Sequence, residues 1–233
     1  VPQPAATLTR RQLVELAGAA LTNSGLLLDD AQLLLTAGRW PRAYGLAVLA
    51  AEEFGKFMLC ATATLTLDVA DAASWSDFWK KFRSHQKKFV LWFGQYVDQQ
   101  DWGPVGLAGD EEWLRAWDSR PHEARLHDLG KQSGLYVNFD AGSVHAPDEV
   151  VAEETAAKMF AMVASVIGPW MQEAEMYLAQ LLNPDPRIAA MIAEMRALGE
   201  VLPDERSTEA LDAFMQKYLL GSHTTNTRFE DGD

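Results

Sequence analysis

Between Ala43 and Leu67 the chain carries only three formal charges, Glu52, Glu53 and Lys56. A helix that apolar on most of its circumference must be enclosed by other helices, so this run alone demands a multi-helix core. Three charges near its middle, together with several threonines, argue against a membrane-spanning segment. At 233 residues the chain is long enough to build the enclosure.

On an ideal helix the surface neighbours of a residue lie three, four and seven positions away. For Glu53 these are Leu46, Leu49, Ala50, Lys56, Phe57 and Cys60; for Glu52 they are Gly45, Val48, Leu49, Gly55, Lys56 and Leu59. Each carboxylate therefore has one polar neighbour, and the same one. A single cation cannot neutralise two anions, and an unpaired buried carboxylate costs several kcal/mol or takes up a proton. A partner from another element is expected. His85 is the candidate, since it lies on an aromatic stripe with Phe78, Phe82, Phe89 and Trp92, flanked by Lys81 and Lys88. If the two helices pack antiparallel, their mid-points meet and the Glu pair faces His85 and Lys88. A buried Glu–Lys pair can equally serve to fix helix register, and a histidine on an apolar face can be a satisfied core group. Two such groups on consecutive helices favour a site, because perturbed ionisable groups gather there.

Helical periodicity covers nearly the whole chain, and the spacing predicts an all-α antiparallel helical bundle in a single domain over 1–220. Thr9 and Gln12 spell a capping box for a first helix that stops at the "NSG" of residues 23–25, with a second helix ending at Gly38. Long helices are expected over 41–66, with Pro41 in the first turn, and over 74–100, capped by Ser74 or Ser76. Residues 101–146 read as a long irregular connection holding a short helix at 110–118 and an extended stretch at 133–147. A long helix from Pro147 to about 183, bent at Gly168–Pro169, precedes helices at 186–199 and 207–219. Its methionines, within 159–176, read as core or as a dimer interface. Residues 221–233 read as a disordered polar tail.

The net charge of −13 excludes bulk electrostatic coating of nucleic acid or anionic membrane. Within that acidic chain, "KKFRSHQKK" holds Lys80, Lys81, Arg83, Lys87 and Lys88 with no acid, which reads as a solvated face or as an anion contact beside His85. Cys60 is the single cysteine, so no intrachain disulfide and no thiolate cluster can form, which suits a reducing cytoplasm. No secretory signal is read around Arg10 and Arg11, and no cofactor fingerprint is present.

Three blocks in order, "GRWPRAYGLAVLAAEEFGKFML", "FRSHQKK" and "GLYVNFD" followed by "APDEV", resemble the AbiV group of bacterial abortive-infection proteins within the all-helical HEPN class. The resemblance covers about residues 28–155. It implies phage defence, a phage-protein trigger, homodimerisation and, as in many HEPN proteins, metal-independent RNA cleavage. Carried over residue by residue, it marks Glu52, Glu53 and Lys56, then His85 and Lys88, then Tyr136. RNA-cleaving HEPN members usually carry an arginine followed by a histidine four to six residues beyond, often with Asn or Asp next to the arginine. Arg115…His122 and Arg120…His127 have six residues between, without that Asn or Asp.

Three functions follow. In the first, a cytoplasmic RNA-directed toxin, His85 is base or acid, Lys56 and Lys88 stabilise the phosphate, and Glu53 tunes them; Glu52, Lys81, Arg83 and Tyr136 bind. In the second, a non-enzymatic helical effector binds a phage or translation protein. In the third, Glu52, Glu53 and His85, with Glu153 or Glu154, hold one metal, although none of the five histidines follows a Glu by three residues.

Overall fold

A computed structural model describes residues 7–66, 72–99, 109–140, 142–187 and 190. The chain divides into two compact units, Val1–Leu182 and Asn183–Asp233. Every element below belongs to the first unit; of the helices expected at 186–199 and 207–219 and the tail at 221–233, all but 186, 187 and 190 lie outside the described residues. The fold is all-α, with eight helices and one two-stranded hairpin among the described residues.

Helix α1 (Arg10–Thr36) opens with the capping box: Gln12 N–H donates to Thr9 Oγ1 at 3.3 Å and Thr9 N–H donates to Gln12 Oε1 at 2.9 Å. It does not stop at Asn23–Gly25, as the sequence suggested, but runs on through it. Ser24 is buried and donates to the Leu21 carbonyl at 2.7 Å, while a Cβ on Gly25 would stand 3.0 Å from the Met171 methyl. Those small residues admit a neighbouring helix; they are not a stop. The helix ends instead at Gly38, whose φ of 69° is left-handed.

Helix α2 (Trp40–Thr66) is the enclosed central rod, with Pro41 in its first turn. The single helix expected at 74–100 is two: α3 (Ala72–Arg83) and α4 (His85–Asp98). Ser84 separates them, in extended backbone with its hydroxyl accepting from Lys87 N–H at 3.3 Å, so it caps α4. The break reverses the chain. Contacts of α3 with α2 step in opposite senses, with Lys81 and Phe78 beside Leu59 and Ala63 and the Lys56 ammonium over the Phe82 ring. Contacts of α4 with α2 advance together, from His85 on Glu52 to Lys88 on Gly55. The expected antiparallel packing thus holds for α3, whereas the half that carries His85 runs with α2.

The long irregular connection expected at 101–146 is corrected by α5 (Gly109–Leu135), a 27-residue helix. Pro121 lies inside this helix, and its glycines are points of close approach: a Cβ on Gly130 would meet the Tyr44 hydroxyl at 2.7 Å, and one on Gly134 the Pro41 carbonyl at 2.6 Å. Within the stretch expected to be extended, the strands among the described residues are β1 (Asn138–Asp140) and β2 (Ser143–His145), paired antiparallel with Phe139 opposite Val144. The helix expected from Pro147 to 183 is interrupted twice, giving α6 (Pro147–Val150), α7 (Glu153–Gln172) and α8 (Ala174–Leu182). Val151, buried and extended, makes the first break, and Pro169 sits inside α7 rather than ending it. Among the described residues, no helix is long and apolar enough to cross a membrane.

Of the described glycines, Gly55 sits at the closest approach, between α2 and α4, where a Cβ would stand 2.0 Å from the Lys88 carbonyl oxygen. Gly55→Ala should therefore push α4 off α2 and lower stability by about 3 kcal/mol, at the upper end of overpacking costs. Gly168→Ala, where nothing lies within 4 Å, should be neutral or raise stability by up to ~1 kcal/mol. Urea unfolding of both variants checks the contrast.

Candidate active site

Gly55 lays the first turn of α4 directly on α2, and that contact assembles the site. Glu52 is 2% exposed and is the sole acid among the described residues that is fully buried. His85 Nδ1–H donates to Glu52 Oε2 at 2.5 Å, since an ionised carboxylate only accepts. On the other oxygen, Lys131 Nζ from α5 donates to Oε1 at 2.5 Å. Lys131 also pairs with Asp128 at 2.9 Å, one turn earlier on α5. Lys88 Nζ, almost fully buried, lies 3.8 Å from Oε2: an ion pair, yet too long for a hydrogen bond. Its donors are not spent on the carboxylate.

Burial sets the electrostatics. Desolvation pulls the Lys88 ammonium below its ordinary pKa, with nearby Glu52 pulling the other way and Lys56 and Lys131 adding to the fall. Burial acts on Lys131 too, but the bonds to Glu52 and Asp128 outweigh it and hold Lys131 above the usual lysine value. The same bond to Lys131, with His85 and Gln86 nearby, overcomes the desolvation of Asp128 and holds its carboxyl below the usual aspartate value. The Glu52 anion is thus balanced by groups from two other helices, α4 and α5.

The side chain of His85 is 57% exposed, so its Nδ1 is anchored inside while Nε2 faces outward. A buried carboxylate that fixes the tautomer leaves Nε2 as the lone-pair nitrogen, the arrangement of an oriented general base.

The sequence-derived set divides accordingly. Glu52, His85 and Lys88 converge as expected from the apolar setting of each. Glu53 does not touch His85; it takes Lys56 as its partner, and Lys56 lies over the Phe82 ring with its ammonium 5.4 Å from the centroid. Lys81 pairs with Asp77 at 2.5 Å along α3, and Arg83 is exposed at the end of that helix. Tyr136 is exposed between α5 and β1. The metal alternative does not assemble: among the described residues, no three His, Cys, Asp or Glu side chains are grouped to hold an ion, and Glu154 pairs with Lys158 at 2.7 Å.

Sequence reasoning missed Lys131 and Asp128 because they fall in the stretch read as irregular. It also missed the role of His127, one of the two arginine-spaced histidines. His127 is on a helix after all, stacked on Phe89 at 4.9 Å, with Nδ1 2.8 Å from the Tyr44 hydroxyl and Nε2 3.7 Å from Glu123. Burial lowers its pKa and raises that of Tyr44 to about 12, with Glu123 opposing the first shift and adding to the second. A neutral ring with its proton facing Glu123 accepts from the protonated tyrosine.

Replacing Lys131 by Met strands Glu52 with half its partners, and should cost ~3–5 kcal/mol. Adding Glu52→Gln should recover much of that, which a double-mutant cycle in urea measures. Asp128, with a folded-state pKa below its unfolded one, contributes stability above the ordinary aspartate range and loses it as pH falls through the lowered value. The stability gap between the wild-type chain and Asp128→Asn should therefore close below about pH 4.

No curated protein and no solved structure matched the chain. The model of the AbiV family, within the HEPN class, matches residues 12–168, reaching beyond the three recognised blocks to take in α1 and most of α7. With two thirds of its length matched, through every helix that builds the Glu52 centre, the chain belongs to the AbiV family of HEPN-type proteins.

Proposed function

We propose that this chain is an abortive-infection effector that cleaves RNA at the Glu52–His85 centre. The observation that carries the reading is the sealed Glu52 carboxylate bonded to a half-exposed imidazole. A group held this way takes the proton of a ribose 2′-hydroxyl on Nε2 while O2′ attacks the adjacent phosphorus. The P–O5′ bond breaks, and the leaving oxygen takes a proton from water. Lys88, whose donors are not spent on Glu52, and Lys56 meet the charge that develops on the phosphoryl oxygens. Glu52 orients His85, and Lys131 holds Glu52; this gives Glu52 the positioning role expected of Glu53. Lys81 and Arg83 lie on the basic stretch leading into α4 and suit backbone phosphates. Cytoplasmic residence, a phage-protein trigger and a homodimer belong to this reading, as the family implies.

Incubation of the purified chain with bacterial RNA tests it. Wild-type protein should leave 2′,3′-cyclic phosphate ends, and His85→Ala should slow cleavage by ~10²–10⁴-fold with an unchanged circular dichroism spectrum. RNA left intact by the wild-type protein refutes the reading.

One observation favours a non-enzymatic effector instead. Tyr136, Val137, Phe139 and Val144 are exposed on and beside the hairpin, an apolar surface suited to a protein partner. On that reading Phe139→Ser with Val144→Ser abolishes defence against phage, whereas His85→Ala retains it.

A further inference from the structure

A cavity of about 550 Å³ opens where α2, α3, α4 and α5 meet. Leu59, Val90, Leu91 and Pro121 give it aliphatic walls, and its polar groups are Thr62, Gln86, Lys81 and Lys87. The size is that of a small-molecule site, and so is the make-up of apolar walls with a few convergent polar groups. Among the described residues, none that lines the cavity is acidic or aromatic. Lys81 is paired with Asp77, which lines a smaller cavity of about 210 Å³ sharing Leu59, Thr62 and Lys81. Lys87 has no ion pair among the described residues and stands in the first turn of α4. The cavity thus presents two cations, of which only Lys81 has an ion pair among the described residues, in a chain whose net charge is −13.

From this we infer that the cavity binds a small amphipathic anion: an aliphatic chain with a carboxylate or phosphate head. The tail lies against Leu59, Val90, Leu91 and Pro121, and the head meets Lys87, with Lys81 beside it. With a methylene about the size of a water, ~30 Å³, the space takes a chain of roughly ten carbons with its head group. A nucleobase is the poorer fit, because base binding draws on aromatic stacking and, among the described residues, no ring lines the cavity. The occupant also braces the joint between α3 and α4, since Gln86 and Lys87 directly follow His85. The inference stands apart from the RNA chemistry and is tested by binding alone.

Isothermal titration of the full chain with sodium decanoate, decyl phosphate, 1-decanol and AMP is the experiment. Saturable one-to-one binding of decanoate and decyl phosphate is expected, with 1-decanol weaker and with Lys81→Ala/Lys87→Ala weakening both anions about tenfold. Thr62→Trp fills the mouth from an exposed position and should abolish binding; Leu91→Phe, which narrows the interior, should weaken it. The proposal is overturned by an absence of saturable binding, by binding that survives both filling variants, by equal affinity for 1-decanol, or by tighter binding of AMP. Flotation with phosphatidylglycerol vesicles identifies the source. Flotation lost in Thr62→Trp assigns the site to a membrane lipid, and decanoate binding without flotation assigns it to a free amphiphile; either outcome upholds it.

Discussion

The structure turns on one carboxylate that has been taken out of water. Glu52 lies in the central helix, and its two oxygens are drawn in different directions, Oε1 by Lys131 from α5 and Oε2 by His85 from α4, with Lys88 close behind. Desolvating such an ion costs several kcal/mol, and only good geometry and full hydrogen bonding offset it. The requirement fixes how α4 and α5 sit on α2: a slide of either helix by one turn would leave the charge stranded. Gly55 is the complementary device, an absent side chain that lets the α4 backbone come down onto α2. Electrostatics sets the register and glycine sets the distance.

Much of this was legible in the residues. Three charges in an otherwise apolar helix, and a histidine on an aromatic stripe, announced a buried polar centre and named Glu52, His85 and Lys88. What could not be read was the third wall. In α5 the apolar residues follow helical spacing only weakly, and Pro121, Gly130 and Gly134 look like loop punctuation, so Lys131 and Asp128 had no element to stand on. The same ambiguity hid the continuity of α1, where a Ser–Gly pair that spells a helix stop is where α7 packs. Glycine is read as a breaker because it is flexible, yet here its value is its size. The partition of Glu52 from Glu53 was beyond reach for a different reason: adjacent residues have overlapping neighbourhoods on a helical net, and only the position of α4 separates them.

His85 and His127 show what environment does to one side chain. Both have Nδ1 committed to a partner on α2, the first to a carboxylate, the second to a phenol. One ring is held at the surface by a buried anion. The other is pressed against Phe89, kept neutral by its surroundings, and bonded to the Tyr44 hydroxyl that lies over Gly130. Arginine spacing pointed only loosely to His127, whereas the aromatic stripe pointed to His85, and the structure leaves the His85 ring half in solvent. For acid–base work the accessible nitrogen decides.

Cys60 completes the account of the central helix. It is the chain's sole sulfhydryl, fully enclosed, and burial with only slight opposition from Lys56 pushes it up to about 12. A thiol that neither ionises nor meets an oxidant is chemically silent. Peroxide acting on this sulfur is therefore an unsuitable messenger for the chain, and a cysteine grafted onto any outer surface would be the one handle for a maleimide probe.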